Sequence, residues 1–256
     1  MPYAPTPHVL VERQGPIAII TLNNPEMRNA FLDDMHEAMR EIWTHLAEDD
    51  SVRAVVLTGA GKAFSAGGDI PSFIRSYEDS DYRRMSLRGA KALMDAQAAF
   101  PKPVVAAVNG AAVGLGCNLA VACDIVFMAE SSFFADTHVS IGLVCGDGGA
   151  VFWPLHMSIL KAKEYLLTGD KIPPHVAVEI GLANRVVPDD QLMTEAIAFA
   201  ERLAAQPRQA IQETKRAINI HLQAAISMVA PFALSAEGES FGTDDLRATI
   251  DKFSKK

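Results

Sequence analysis

A chain of 256 residues, 49% hydrophobic and 21% charged, is long enough to bury a sizeable core, which excludes a disordered segment or a small cross-linked domain. Its 31 acidic residues against 23 Lys plus Arg leave a formal charge of −8, which excludes broad electrostatic capture of nucleic acid and points to a small-molecule substrate. Three cysteines with no C-x-x-C pair, and seven histidines without paired ligand spacing, predict neither a disulfide framework nor a metal site.

The opening stretch MPYAPTPHVLVERQGP has neither the basic nor the apolar region of a secretory signal, and no uninterrupted apolar run reaches the roughly 18 residues of a membrane span. The expectation is a soluble, cytoplasmic protein with no membrane partner. In chain order, PIAIITLN (16–23) alternates and is β-rich, DDMHEAMREIWTHLAED (33–49) repeats apolar residues at helical spacing, and RAVVLTG (53–59) is a short apolar run closed by glycine. The same beat returns in KPVVAAVNG (102–110), LGCNLAVAC and DIVFMAE (124–130), so strand and helix alternate and the class is α/β. AVFWPLHMSILKAKEYLLTG (150–169) predicts two short helices interrupted at Pro154, and HVAVEIG followed by ANRVVP predicts a helix and a strand. From Asp189 the pattern is helical with breaks at Pro207 and Pro231, which divides the chain into an α/β core over 1–190 and a helical region over 191–256.

Chemistry concentrates in three glycine-bearing segments: AFSAGGDI (63–70), VNGAAVGLGCNLA (108–120) and HVSIGLVCGDGG (138–149). The first two follow strands and lead into helices, so their backbone N–H groups point outward where they can bind an anion or a developing oxyanion. GLGCNL begins like a dinucleotide fingerprint, but Leu119 stands where the third glycine is needed, which argues against a nicotinamide enzyme. AFSAG is like a nucleophile elbow with Ala63 for the first glycine, yet the order Ser, His, Asp differs from the Ser, acid, His of elbow hydrolases.

Taken together and in this order, PIAIITLNNPEMRNAF, AFSAGGDI, PKPVVAAVNGAAVGLGCNLAVACDIVFMAESSFFA, GLVCGDGGA, KEYLLTGDKI and GLANRVVP resemble the enoyl-CoA hydratase/isomerase family, the crotonase superfamily, over nearly the whole chain. The resemblance implies a spiral of repeated β-β-α units with a C-terminal helical region serving trimerisation, and assembly as a homotrimer or a dimer of trimers. It implies an acyl-CoA substrate, with coenzyme A as part of that substrate and no separate cofactor. The family's two carbonyl-polarising amides fall on Gly68 and Leu115; because the donor is the main chain, a leucine can serve. Ala66, Gly68, Asp69 and Ile70 would line the pantetheine arm, and Arg28 with Ala30 would lie near the nucleotide end, although Arg28 reads equally well as a solvated surface charge. Residues 71–100, including Phe73, Tyr77, Tyr82, Met85 and Leu87, are expected to wall the acyl pocket.

The sequence departs from the resemblance where it matters most. Family hydratases use two glutamates, one in G-C-E-L-A and one opening the next glycine segment; here these positions are Asn118 and His138. Asparagine has no useful basicity, so Asn118 is expected to hydrogen-bond a water or a substrate carbonyl. His138 would act as general base, with Asp147 fixing its tautomer and stabilising the imidazolium. H-x₈-D around G-x-V-x-G-D-G also resembles a branch that cleaves cyclic β-diketones hydrolytically, without need of coenzyme A. Against these stand plainer roles: His138 as a packed core residue, Asp147 as the N-cap of a helix beginning near Gly148, and Cys145 as a core thiol. Three functions therefore compete: an acyl-CoA hydratase or isomerase, a β-diketone hydrolase on the same fold, and a non-catalytic binding subunit.

Overall fold

The computed structural model describes residues 6–253. It opens with a hairpin, β1 (Val9–Gln14) and β2 (Ile17–Leu22), joined through Gly15 and Pro16, with Gly15 at φ +56° making the turn. β1 is a sheet edge whose side chains past Val9 are at least partly exposed, so its sequence carries no apolar alternation and gives no strand signal. Helix α1 (Asp33–Glu48) matches its predicted span. It buries Met35, Ala38, Met39, Ile42, Trp43 and Leu46 on one face, the 3–4 spacing visible in the sequence.

Three β-β-α turns follow. β3 (Ala54–Gly59) leads to β4 (Ala63–Ser65) and then to α2 (Ile70–Glu78) and α3 (Ser80–Ala99). β5 (Val104–Val108) leads to β6 (Ala111–Val113) and α4 (Leu115–Val121). β7 (Ile125–Ala129) leads to β8 (Phe133–Ala135), α5 (Gly149–His156), α6 (Ile159–Thr168) and α7 (Pro174–Ile180), after which β9 (Arg185–Val187) closes the larger sheet. The first strand of each turn joins a six-stranded sheet ordered β1-β2-β3-β5-β7-β9, parallel apart from the hairpin. The second strands form a parallel sheet of three, β4-β6-β8. Each turn thus advances one strand in both sheets, which is the spiral.

Both faces of the larger sheet are covered. Val55, Leu57, Val104, Ala106, Val126 and Met128 point into the main core, whereas Ala54, Val56, Val105, Ala107, Phe127 and Ala129 point the other way, onto α8 (Leu192–Ala204). Burial of alternate residues on opposite faces is why these strands read as continuous apolar runs.

Two proline expectations need correction. The break in 150–169 falls at Met157 and Ser158, where the Ser158 hydroxyl accepts the Lys161 amide and caps α6; Pro154 lies inside α5. Pro207 is indeed the N-cap of α9 (Arg208–Ser240), but Pro231 lies within that helix. An interior proline costs about 3 kcal/mol. The packing of α9 along α3 and α5 outweighs it. By length and composition α9 could cross a bilayer, with a mean hydropathy of 1.5 over its most apolar window. Yet its inner face buries Lys215, Asn219 and Glu237, and α10 (Asp244–Phe253) follows it onto α2.

Candidate active site

The segment after β4 is wedged against the start of α4. Gly67 has φ +86°, and a Cβ there would lie 2.7 Å from the Val113 carbonyl oxygen and 3.6 Å from the Leu115 nitrogen, so only glycine lets the two loops approach. Behind the loop, the Ser65 hydroxyl donates to the Asn29 carbonyl (2.8 Å) and accepts the Gly67 amide (3.2 Å). The Ala66 amide donates to the Arg28 carbonyl (2.9 Å), and the Phe31 amide to the Gly67 carbonyl (2.7 Å). Leu115 is the first residue of α4, so its amide is one that no carbonyl of the helix reaches. Gly68 and Leu115 line the same cavity, of about 110 Å³.

His138 closes that cavity. Its ring lies against Gly114, where an added Cβ would sit 3.4 Å from the imidazole Cε1. The side chain is 7% exposed, with Nδ1 at 2.5 Å from Asp136 Oδ1 and Nε2 at 3.4 Å from Asp147 Oδ2. Asn118 braces both acids: its Nδ2 donates to Asp147 Oδ1 (2.9 Å) and toward Asp136 Oδ2 (3.4 Å), and its Oδ1 accepts the Trp153 indole N–H (3.0 Å). Burial opposes charge on the ring, but Asp147, Asp136 and their hydrogen bonds outweigh it and hold the His138 pKa well above the ordinary value. Burial likewise works to raise Asp136, but the imidazolium and its hydrogen bonds bring its pKa down.

The family model for enoyl-CoA hydratase/isomerase matches residues 12–256. The chain is 33% identical to a short-chain-enoyl-CoA hydratase of Clostridium acetobutylicum over 97% of this chain and 95% of that one. It is 31% identical to a crotonyl-CoA hydratase of Syntrophomonas wolfei over the same shares. Its fold superposes on the crystal structure of an enoyl-CoA hydratase/isomerase from Mycobacterium paratuberculosis with TM-score 0.93 and 46% identity, covering 97% of this chain and 99% of that one. The chain belongs to the enoyl-CoA hydratase/isomerase family.

Within this family member, the two positions where glutamates were expected have different fates. His138 faces the cavity, as do Ala66, Gly68, Asp69, Leu115 and Asp147. Asn118 does not line it; its two N–H groups go to Asp136 and Asp147 and its oxygen accepts from Trp153, so it positions the acids and has no donor left for a substrate carbonyl. The orienting partner on His138 Nδ1 is Asp136, which the sequence reading missed, and Asp147 faces the opposite ring nitrogen. Nor does Asp147 cap a helix. Gly148 is the N-cap of α5, and the Asp147 carboxylate is turned to Asn118 and His138.

Arg28, Ala30 and Ile70 are not among the residues lining the cavity. Arg28 is exposed and contributes its carbonyl to the Ala66 loop, Ala30 is buried behind that loop, and Ile70 opens α2 with its side chain toward solvent. Of the expected pocket walls, Phe73, Tyr82 and Leu87 line the cavity; Met85 is exposed and Tyr77 packs in a small cluster with Phe241 and Leu246. The Cys145 thiol is pushed up to about 12 by burial and by the charge of Asp136, so it holds no thiolate at neutral pH. Sequence reasoning also passed over Glu237, which reaches the cavity from α9. Its Oε2 is buried without a partner, and burial together with the Asp147 charge raises its pKa to about 8. The available signal was spacing: Ala230, Ala233, Leu234 and Glu237 form one buried stripe, with a carboxylate where an apolar residue belongs.

Proposed function

We propose that this protein acts on an acyl-CoA thioester as a hydratase or isomerase, stabilising the thioester enolate with the amides of Gly68 and Leu115 and moving protons through His138 and Asp147. The observation that carries the reading is the imidazole held between two carboxylates in the wall of the cavity that those amides line. Preorganised donors away from water favour charge developing on the carbonyl oxygen, and one such donor typically contributes about 3–4 kcal/mol to the transition state.

With the imidazolium favoured, His138, read from the sequence as the general base, serves as the acid, and Asp147, read as its orienting partner, serves as the base. In hydration, Asp147 takes a proton from water as the oxygen bonds to the β-carbon, and the double-bond electrons pass to the thioester oxygen. The enolate then collapses, its α-carbon taking the proton from His138 Nε2. Transfer of the new proton from Asp147 Oδ2 across the 3.4 Å contact to Nε2 restores the site. In isomerisation the same pair removes one carbon-bound proton and returns it to another. Asp136 keeps the ring in register, and Glu237 leaves a neutral carboxylic acid beside the pair below about pH 8.

A second reading keeps the site but makes it a β-diketone hydrolase, with water activated beside His138. The absence of a carboxylate from both expected glutamate positions favours it. Assay of purified protein with crotonyl-CoA and with a cyclic β-diketone separates the two. Diketone cleavage without affinity for immobilised coenzyme A overturns the first reading; turnover of neither, unaltered by His138→Ala, supports a binding subunit.

The helical region, residues 191–256, is further proposed to assemble the chain into a homotrimer or a dimer of trimers. Support comes from Met228 and Phe232, each 78% exposed on the outer face of α9.

A further inference from the structure

The far wall of the cavity is built by α3, through Tyr82, Arg83, Ser86, Leu87 and Ala90. Arg83 is the one Lys or Arg side chain among the residues lining the cavity. One of its N–H groups, on Nη1, donates to the Ser76 carbonyl (2.9 Å), and its guanidinium carbon lies 5.6 Å from the centre of the Phe241 ring. Among the described residues no carboxylate pairs with it. Of the four carboxylates that line the cavity with it, Asp33 accepts from Tyr82 (2.5 Å) and pairs with Arg75 (3.4 Å), Asp147 is turned to Asn118 and His138, and Asp69 Oδ1 and Glu237 Oε2 are buried with no partner, Arg83 included. A half-buried arginine with several N–H groups to offer is suited to a bidentate anion.

Gly68, Leu115 and the α3 residues line one cavity, so an acyl group anchored at the two amides extends within it toward Arg83. We propose that Arg83 reads a carboxylate there, and that the substrates are coenzyme A thioesters of acids bearing a second, distal carboxyl group. This rests on the acyl-CoA reading above and narrows it to an anionic substrate class.

Calorimetric binding of glutaryl-CoA and of its terminal amide tests the proposal without depending on turnover, because the two ligands differ in charge and hardly in shape, and neither carries a double bond. The wild-type protein is expected to bind glutaryl-CoA at least tenfold more tightly than the amide. Arg83→Gln should reduce that ratio below threefold, and Arg83→Lys should keep part of it. Equal affinities in the wild type, or a ratio that survives Arg83→Gln in a protein melting as the wild type does, overturns the assignment. If the preference is present but no enoyl-CoA ester is turned over, Arg83 stands and the proposed reaction falls. If neither ligand binds, both fall together.

Discussion

At His138 burial disfavours the charged ring, while Asp147 and Asp136 favour it strongly enough to raise its pKa well above 6.5. A raised value means that the stability gained from the imidazolium is fully present below the unfolded pKa and is lost as pH rises through the folded one. The same charge is the acid of the proposed mechanism, so the rate should fall on the alkaline side where His138 deprotonates. Asp136→Asn removes one of the charges that hold the proton and should move this alkaline limb to lower pH; a kcat profile that does not move would show that Asp136 does not tune the ring. His138→Ala should lower kcat by about 100- to 10,000-fold, with little change in affinity for a saturated acyl-CoA. Glu237, raised from 4.5 to about 8, follows the same sign: its stabilisation is present below pH 4.5 and is lost between there and pH 8. Glu237→Gln should therefore gain stability relative to the wild type at pH 9 over pH 5, by an amount on the order of a few kcal/mol, read from urea midpoints at the two pH values. Asp136 and Glu237 escaped the sequence reading for different reasons: Asp136, two residues before His138, lies just outside the glycine segment, whereas Glu237 stands on α9 and only folding brings it to the cavity.

Among the elements, the helix over 33–48 and the long strands were legible because their apolar periods match one-face and two-face burial. β1, an edge, and the three-residue strands β4, β6 and β8 carry too few buried side chains to show a period. Pro231 misled for the opposite reason: a local rule was overridden by contacts along a helix of 33 residues. The glycine loops rewarded close reading, since their composition follows from the approach of one main chain to another. Gly67→Ala places a methyl 2.7 Å from the Val113 carbonyl at φ +86°, and should destabilise the fold by about 2 kcal/mol or more while lowering kcat through the displaced Gly68 amide. A variant with wild-type stability and rate would show that the two loops are not so closely packed.

For the whole molecule, the proposed trimer predicts a mass in solution of three times the 27.6 kDa of one chain, or a multiple of that. Met228→Glu combined with Phe232→Glu, which puts charges on an exposed apolar face, should shift light scattering toward the single-chain mass; unchanged assembly would place the interface elsewhere. The sequence alone determined the alternation of strand and helix and the two glycine loops, because each is written in local spacing and glycine placement, while the repeated β-β-α turn and the histidine in a carboxylate's place came from the family resemblance. The tertiary structure decided which groups surround that histidine. Asp136 lies two residues away and Asp147 nine, but Asn118 and Trp153 come from α4 and α5 and Glu237 from α9. The proton affinity of a buried ring depends on every charge packed around it, and that sum exists only once the chain has folded.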